Sequence, residues 1–234
     1  MLRGIYANAQ AMAALMTKQD VESNNMANVN TTGFKKDRVN FQEFQEILRG
    51  QTVSTPVAQV STDTQDGPLV RTENPLDLAI QGNGYFTVET PQGPRYTRAG
   101  SFQWNEKGQL VNSAGMVVEG SGGPIQKSAE GGPVRISSDG KITMGENAIG
   151  QLNIVGFTKE ARLKKVGEGL YEAVGGEPQT GHGRVVQGFL ESSSVNSVQE
   201  MVEMMNTLRL FEANQKALRY QDEALGQAIN ELGR

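Results

Sequence analysis

Apolar and small residues recur at Leu2, Ile5, Ala9, Met12 and Met16, three and four apart, with no proline or glycine after Gly4 to interrupt them. This spacing predicts a helix with a narrow apolar stripe. The stripe turns polar at Gln19 and Ser23. The helix is expected to end near Thr31-Thr32-Gly33, where Gly33 can supply a left-handed cap. At the far end, Met204, Phe211, Leu218, Leu225 and Leu232 fall at a strict spacing of seven, with Met201, Leu208 and Ile229 on the adjoining row. That is a second amphipathic helix with a coiled-coil-like seam, which Gln215 and Asp222 interrupt. Ser197 with Glu200 three residues on fits a capping box at its start, and Asn196 is a competing cap.

Between the two helical patterns the period changes to two. Leu76-Asp77-Leu78-Ala79-Ile80, Tyr85-Phe86-Thr87-Val88 and Gln151-Leu152-Asn153-Ile154-Val155 read as strands. The intervening Gly82-Asn83-Gly84, Pro91-Gln92-Gly93-Pro94, Asn105-Glu106-Lys107-Gly108 and Ser138-Asp139-Gly140-Lys141 carry turn chemistry. The chain therefore reads as α+β: an N-terminal helix over 1–34, an extended connector over 35–71 with a short amphipathic turn at 41–48, a central antiparallel β-rich domain over 72–188, and a C-terminal helical region over 189–234. An amphipathic helix with a lone stripe is marginal in water, so both ends need partners. Periodicity alone leaves open whether they pair within one chain or between copies, where a head-to-tail contact that does not close gives a filament.

Composition narrows the function. The formal net charge is −4, from 22 basic and 26 acidic residues scattered along the chain. No basic run neutralises phosphates, so nucleic acid is not an expected partner. Cysteine is absent, which removes disulfides, thiolate metal sites and a cysteine nucleophile. No stretch approaches the roughly 20 apolar residues of a membrane span, so no membrane insertion is expected, and the N-terminus lacks the continuous apolar core of a cleaved signal.

The candidate chemistry is thin. His182, the one histidine, sits between Gly181 and Gly183 and reads as a loop residue, because a metal site there would need carboxylates gathered from afar. Gly82-Asn83-Gly84 and Gly167-Glu168-Gly169 do not complete a nucleotide-binding glycine pattern and read as turns. No catalytic, cofactor or metal site is assigned. An enzyme built on the β-rich domain would have to rely on carboxylates.

Four blocks carry a resemblance that covers nearly the whole chain. Asn24-Asn25-Met26-Ala27-Asn28-Val29-Asn30-Thr31-Thr32-Gly33-Phe34-Lys35 resembles the N-terminal signature of the flagellar axial proteins, the rod and hook subunits. Asn74-Pro75-Leu76-Asp77-Leu78-Ala79-Ile80 running into Gly82-Asn83-Gly84-Tyr85-Phe86, then Tyr96-Thr97-Arg98-Ala99-Gly100-Ser101-Phe102, then Leu190-Glu191-Ser192-Ser193-Ser194-Val195-Asn196, are similar in the same way. Ser193 departs from the family, which commonly has glycine there. The chain has no room for the large extra domain of a hook subunit. Its short length, the Gly120-Ser121-Gly122-Gly123-Pro124-Ile125 passage and its last residues look more like a proximal than a distal rod subunit.

The resemblance implies a structural subunit exported unfolded through the flagellar type III apparatus without signal cleavage. It implies terminal helices that form a coiled-coil tube on assembly and a β-domain outside it. The partners implied are other copies and neighbouring rod proteins, in the periplasmic span of the basal body, where the tube transmits torque. The expected interface residues are Leu2, Ile5, Met12 and Met16 at one end and Met204, Leu208, Phe211, Leu218 and Leu225 at the other. Asn24, Asn28 and Thr32, spaced four apart, are expected to set subunit alignment from one helical face, beside Gly33 and Phe34. The rival from another class is a closed coiled-coil oligomer that displays a β-rich binding domain.

Overall fold

The structure, a computed structural model, describes residues 2–48, 51–158 and 162–232. The chain divides into two compact units and crosses between them more than once. A helical unit takes Met1–Val29, Lys36–Thr64 and Val195–Arg234; a β unit takes Asn30–Lys35 and Gln65–Ser194.

The helical unit contains α1 (Leu2–Ala27), the paired strands β1 (Asp37–Leu48) and β2 (Gln51–Thr62), and α2 (Ser197–Leu232). β1 and β2 run antiparallel with Asp37 opposite Thr62 and Leu48 opposite Gln51. The stretch read as a connector with an amphipathic turn is therefore a long β-ribbon. Pro56 sits within β2 opposite Glu43, which a two-stranded ribbon tolerates because each strand has a free edge.

Two helix boundaries differ from expectation. α1 stops at Ala27, not near Gly33: the Asn28 amide N–H is shared between the carbonyls of Asn24 and Asn25, and the Asn28 side chain donates to the Asn24 carbonyl at 2.9 Å. That local bonding competes with a further helical turn. Gly33 does take a left-handed φ of 68°, but it belongs to the β unit, where an added Cβ would stand 2.5 Å from the backbone of Arg98 and Ala99. At α2 the cap is Asn196, whose Oδ1 accepts from the amides of Val198 and Gln199 at 3.1 and 3.2 Å. Ser197 is already helical, and Phe189–Glu191, read as part of the C-terminal helical region, is a strand.

The β unit adds β3 (Leu69–Arg71), β4 (Leu78–Gln81), β5 (Tyr85–Thr90), β6 (Gly93–Thr97), β7 (Phe102–Trp104), β8 (Leu110–Asn112) and β9 (Val117–Gly120). Its largest sheet runs in spatial order Arg162–Gly167, Leu170–Val174, β6, β5, β9, β8, β7. Among the described residues every pairing is antiparallel. The expected turns close hairpins where the residues allow it: Asn105 Oδ1 accepts from the Lys107 and Gln109 amides, and Glu168 and Gly169 both hold positive φ between paired Gly167 and Leu170. Ser193 keeps an ordinary negative φ, so its backbone does not call for glycine.

Alternation sends Leu78, Ile80, Phe86 and Val88 inward with Phe102, Leu110 and Val118 to form one apolar core. Phe86 and Phe102 meet edge to face at 5.0 Å. A second cluster stacks Tyr85, Tyr96 and Tyr171 with Phe157. Phe86 is fully buried, so Phe86→Ala is expected to lower the stability of the β unit by about 3–5 kcal/mol. Urea unfolding followed by the fluorescence of Trp104, the single tryptophan, measures it.

Candidate assembly interface

The two terminal helices lie antiparallel within the helical unit. Asn8 donates to Gln221 at 3.3 Å and Thr207 donates to Glu22 at 3.0 Å, and both pairs are offset by the same fourteen residues along each helix. The heptad residues Met204, Phe211, Leu218 and Leu225 share the side of α2 that carries Thr207 and Gln221, and all four are half-buried. The seven-residue seam is thus satisfied first by the chain's own α1. Ile5 and Met12 flank Asn8 and are half-buried as well, whereas Met16 is 56 % exposed. The side chain of Leu2 lies outside the described residues.

Much of this seam is polar. Thr207 is fully buried, and Glu22 is buried with only one of its carboxylate oxygens hydrogen-bonded. Burial pushes the Glu22 carboxyl above its ordinary value of 4.5, against the opposing pull of the Thr207 hydroxyl and of Lys18, whose Nζ lies 3.4 Å away. The other end of the pair is tied more fully. Asn25 is buried; its Oδ1 accepts from the Asp37 amide at 2.9 Å and its Nδ2 donates to the Asp37 carbonyl at 2.8 Å. Glu200, also buried, accepts from Lys36 at 3.1 Å and from Asn25 at 3.5 Å.

Asn25 and Glu200 were not singled out from sequence. A polar residue in a polar run gives no sign that it is buried, and Glu200 reads as half of a capping box. Of the expected alignment set, Asn24 is on α1 and exposed, while Asn28 and Thr32 lie beyond the helix end, so the three do not form one helical face. Gly33 and Phe34 are buried in the β unit.

What α2 leaves open is the side opposite Thr207. Val198, Met201, Val202 and Met205 are 71, 56, 46 and 47 % exposed, spaced three and four apart, and Leu208 continues the row. After three turns the row gives way to Arg209, Glu212 and Lys216. α1 exposes a matching set of small and apolar residues, Tyr6, Ala9, Ala13 and Met16. Contiguous apolar rows of this kind mark contact surfaces. In the β unit, exposed His182 lines an open cleft of about 620 Å³ beside Asp139, Leu152 and Ile154. Among the described residues no group of three or more histidine and carboxylate side chains is placed to hold a metal ion, and no helix is long and apolar enough to cross a membrane.

The fold is an α+β subunit with an antiparallel terminal-helix pair that keeps open apolar rows, and sequence comparison gives the family. Residues 5–35 match the profile described as flagella basal body rod protein, 79–144 the flagellar hook protein FlgE/F/G D1 domain, and 186–231 the flagellar basal body rod FlgEFG protein C-terminal. The chain is 34 % identical to the flagellar basal-body rod protein FlgG of Bacillus subtilis over 98 % of its own length and 99 % of the relative's. It is 32 % identical to the flagellar basal-body rod protein FlgF of Mesorhizobium japonicum, over 98 % and 97 %, and 33 % identical to that of Rhizobium meliloti, over 100 % and 99 %. The chain belongs to the flagellar basal-body rod protein family, as a structural subunit of the rod in the flagellar basal body.

Two outcomes follow from the seam. Because folding raises the proton affinity of Glu22, its ionisation weakens the helix pair progressively as pH climbs from about 4.5 through the higher folded value. Glu22→Gln is expected to remove that slope and raise the melting temperature at pH 7, read by helical circular dichroism. Asn25→Ala leaves both backbone groups of Asp37 without their side-chain partner, at a cost of about 1–3 kcal/mol, visible as faster amide exchange at Asp37.

Proposed function

We propose that the subunit builds the rod through its helical unit, with the open rows of α1 and α2 seated on neighbouring copies and on adjoining rod proteins to form a coiled-coil tube. The observation that carries this is the exposed row Val198, Met201, Val202 and Met205 on a helix whose other side is already occupied. Each large apolar side chain buried there contributes about 1.5–3 kcal/mol at full burial, and repetition along the fibre makes the tube stiff enough to transmit torque. The β unit forms the outer layer.

The subunit is of the proximal-rod, FlgF type. Its alignments to the FlgF relatives of Mesorhizobium japonicum and Rhizobium meliloti run 234 and 245 positions, close to its own 234 residues, whereas those to the FlgG relatives of Bacillus subtilis and Caulobacter vibrioides run 261 and 266. Export proceeds unfolded through the flagellar type III apparatus, without a cleaved signal, into the periplasmic span.

The double substitution Met201→Glu with Val202→Glu places two charges on the open row without touching the seam. It is expected to leave both units folded and to raise the concentration needed for polymerisation more than about tenfold, read by sedimentation. Unaltered polymerisation would overturn this reading, and discrete small oligomers from the unsubstituted chain would favour a closed coiled coil.

A further inference from the structure

Lys35 and Lys36 are consecutive in sequence, yet they are held in ionic clusters belonging to different units, Lys35 buried and Lys36 half-buried. Lys35 is fully buried in the β unit. Its Nζ donates to Glu191 at 2.7 Å, to the Gln65 carbonyl at 2.7 Å and to Asp66 at 3.3 Å. Glu191, equally buried, also accepts from the Gly67 amide at 2.9 Å and from Arg98 at 3.4 Å. Arg98 closes the cluster by donating to the carbonyls of Ile80 and Gly82, with an ion pair to Asp66 at 3.3 Å. Two positive and two negative groups thus share one site, so the charge is balanced where desolvation is severe.

The backbone around this cluster is made of the segments by which the chain enters and leaves the β unit. Gly33 donates to the Glu191 carbonyl at 2.7 Å, Ser194 to the Phe34 carbonyl at 3.0 Å, and Ser192 to the Pro68 carbonyl at 2.9 Å. Residues 33–34, 65–68 and 191–194 are held side by side.

One residue on, Lys36 does the same for the helical unit. Its Nζ reaches Glu200 at 3.1 Å, and its carbonyl accepts from the Asp63 amide at 2.8 Å. Asp37 is held by Asn25 and by the Thr62 hydroxyl at 2.7 Å, and Asp63 by Arg38 at 2.6 Å. Segments 36–38, 62–63 and 200 are the counterparts of 33–35, 65–67 and 191 across the crossings. The crossings at 35–36, 64–65 and 194–195 therefore each have an ionic hold on either side.

We infer that Lys35 and Lys36 form a two-sided anchor. Lys35 fixes the connecting segments to the β unit and Lys36 fixes them to the helical unit, independently, so that neither unit frays where the chain passes to the other. The anchor is a property of the single subunit and does not depend on how subunits assemble.

Independence is the testable part, by amide exchange on the full chain. Lys35→Met is expected to speed exchange at Gly33, Gly67 and Ser194 about a hundredfold, while Asp37 and Asp63 stay within about twofold of the unsubstituted protein. Lys36→Met is expected to give the reverse pattern. Glu191→Gln keeps one acceptor oxygen for Lys35 and Gly67, removes the charge and turns the oxygen facing Arg98 into a donor; it gives the Lys35 pattern and replaces Lys35→Met if Trp104 fluorescence shows that variant unfolded. Two results overturn the inference: no change at the named amides, or faster exchange at both sets from either single lysine substitution.

Discussion

A 36-residue helix is about 54 Å long and cannot be held in water by its own hydrogen bonds and a one-sided apolar stripe. Everything in the helical unit answers to that constraint. α1 covers the seam from Met204 to Leu225, and the ribbon of β1 and β2 belongs to the same compact unit. Once one side of α2 is covered, a second apolar row is left open on the opposite side in its first three turns, and Leu210 and Tyr220 are exposed farther along. α2 thus carries two apolar rows, one covered by its own chain and one left open.

The polar character of the covered seam bears on how tightly it is held. A seam of leucines would bury more apolar area than one that includes Thr207, Glu22, Asn8 and Gln221, so the pair within the chain is weaker than its length suggests. Its firmest points lie near the start of α2, where Glu200, Asn25 and Lys36 meet. Toward the far ends of both helices the described residues add the Asn8–Gln221 bond and half-buried side chains.

The α+β class, both helices, the turn chemistry and several strands were legible in the sequence, because periods of 3.6 and 2 report directly which residues face a core. The ribbon over 37–62 was not. Its Thr, Ser and Gln-rich composition fits a two-stranded ribbon and an irregular connector equally well, since Thr favours strands while Ser and Gln favour neither. Periodicity also names a buried side of α2 without naming what covers it, and the pairing of the heptad side with the chain's own α1 is visible only in the structure. Buried polar groups were the least visible: Lys35, Glu191 and Arg98 lie in three separate motif blocks, 63 and 93 residues apart in sequence, and only the tertiary fold brings them to one site.

The order of segments along the chain has a kinetic side. The β unit draws almost wholly on residues 65–194, an uninterrupted stretch that can close on itself as soon as it is available. The helical unit needs α2, the last element, to meet α1, the first, so its closing contacts span up to about two hundred residues and form late. A chain delivered from its N-terminus through a narrow passage would present α1 first; its Asn25 end would be held by β1 and then by the start of α2, and its Asn8 end would stay uncovered until the later turns of α2 arrived.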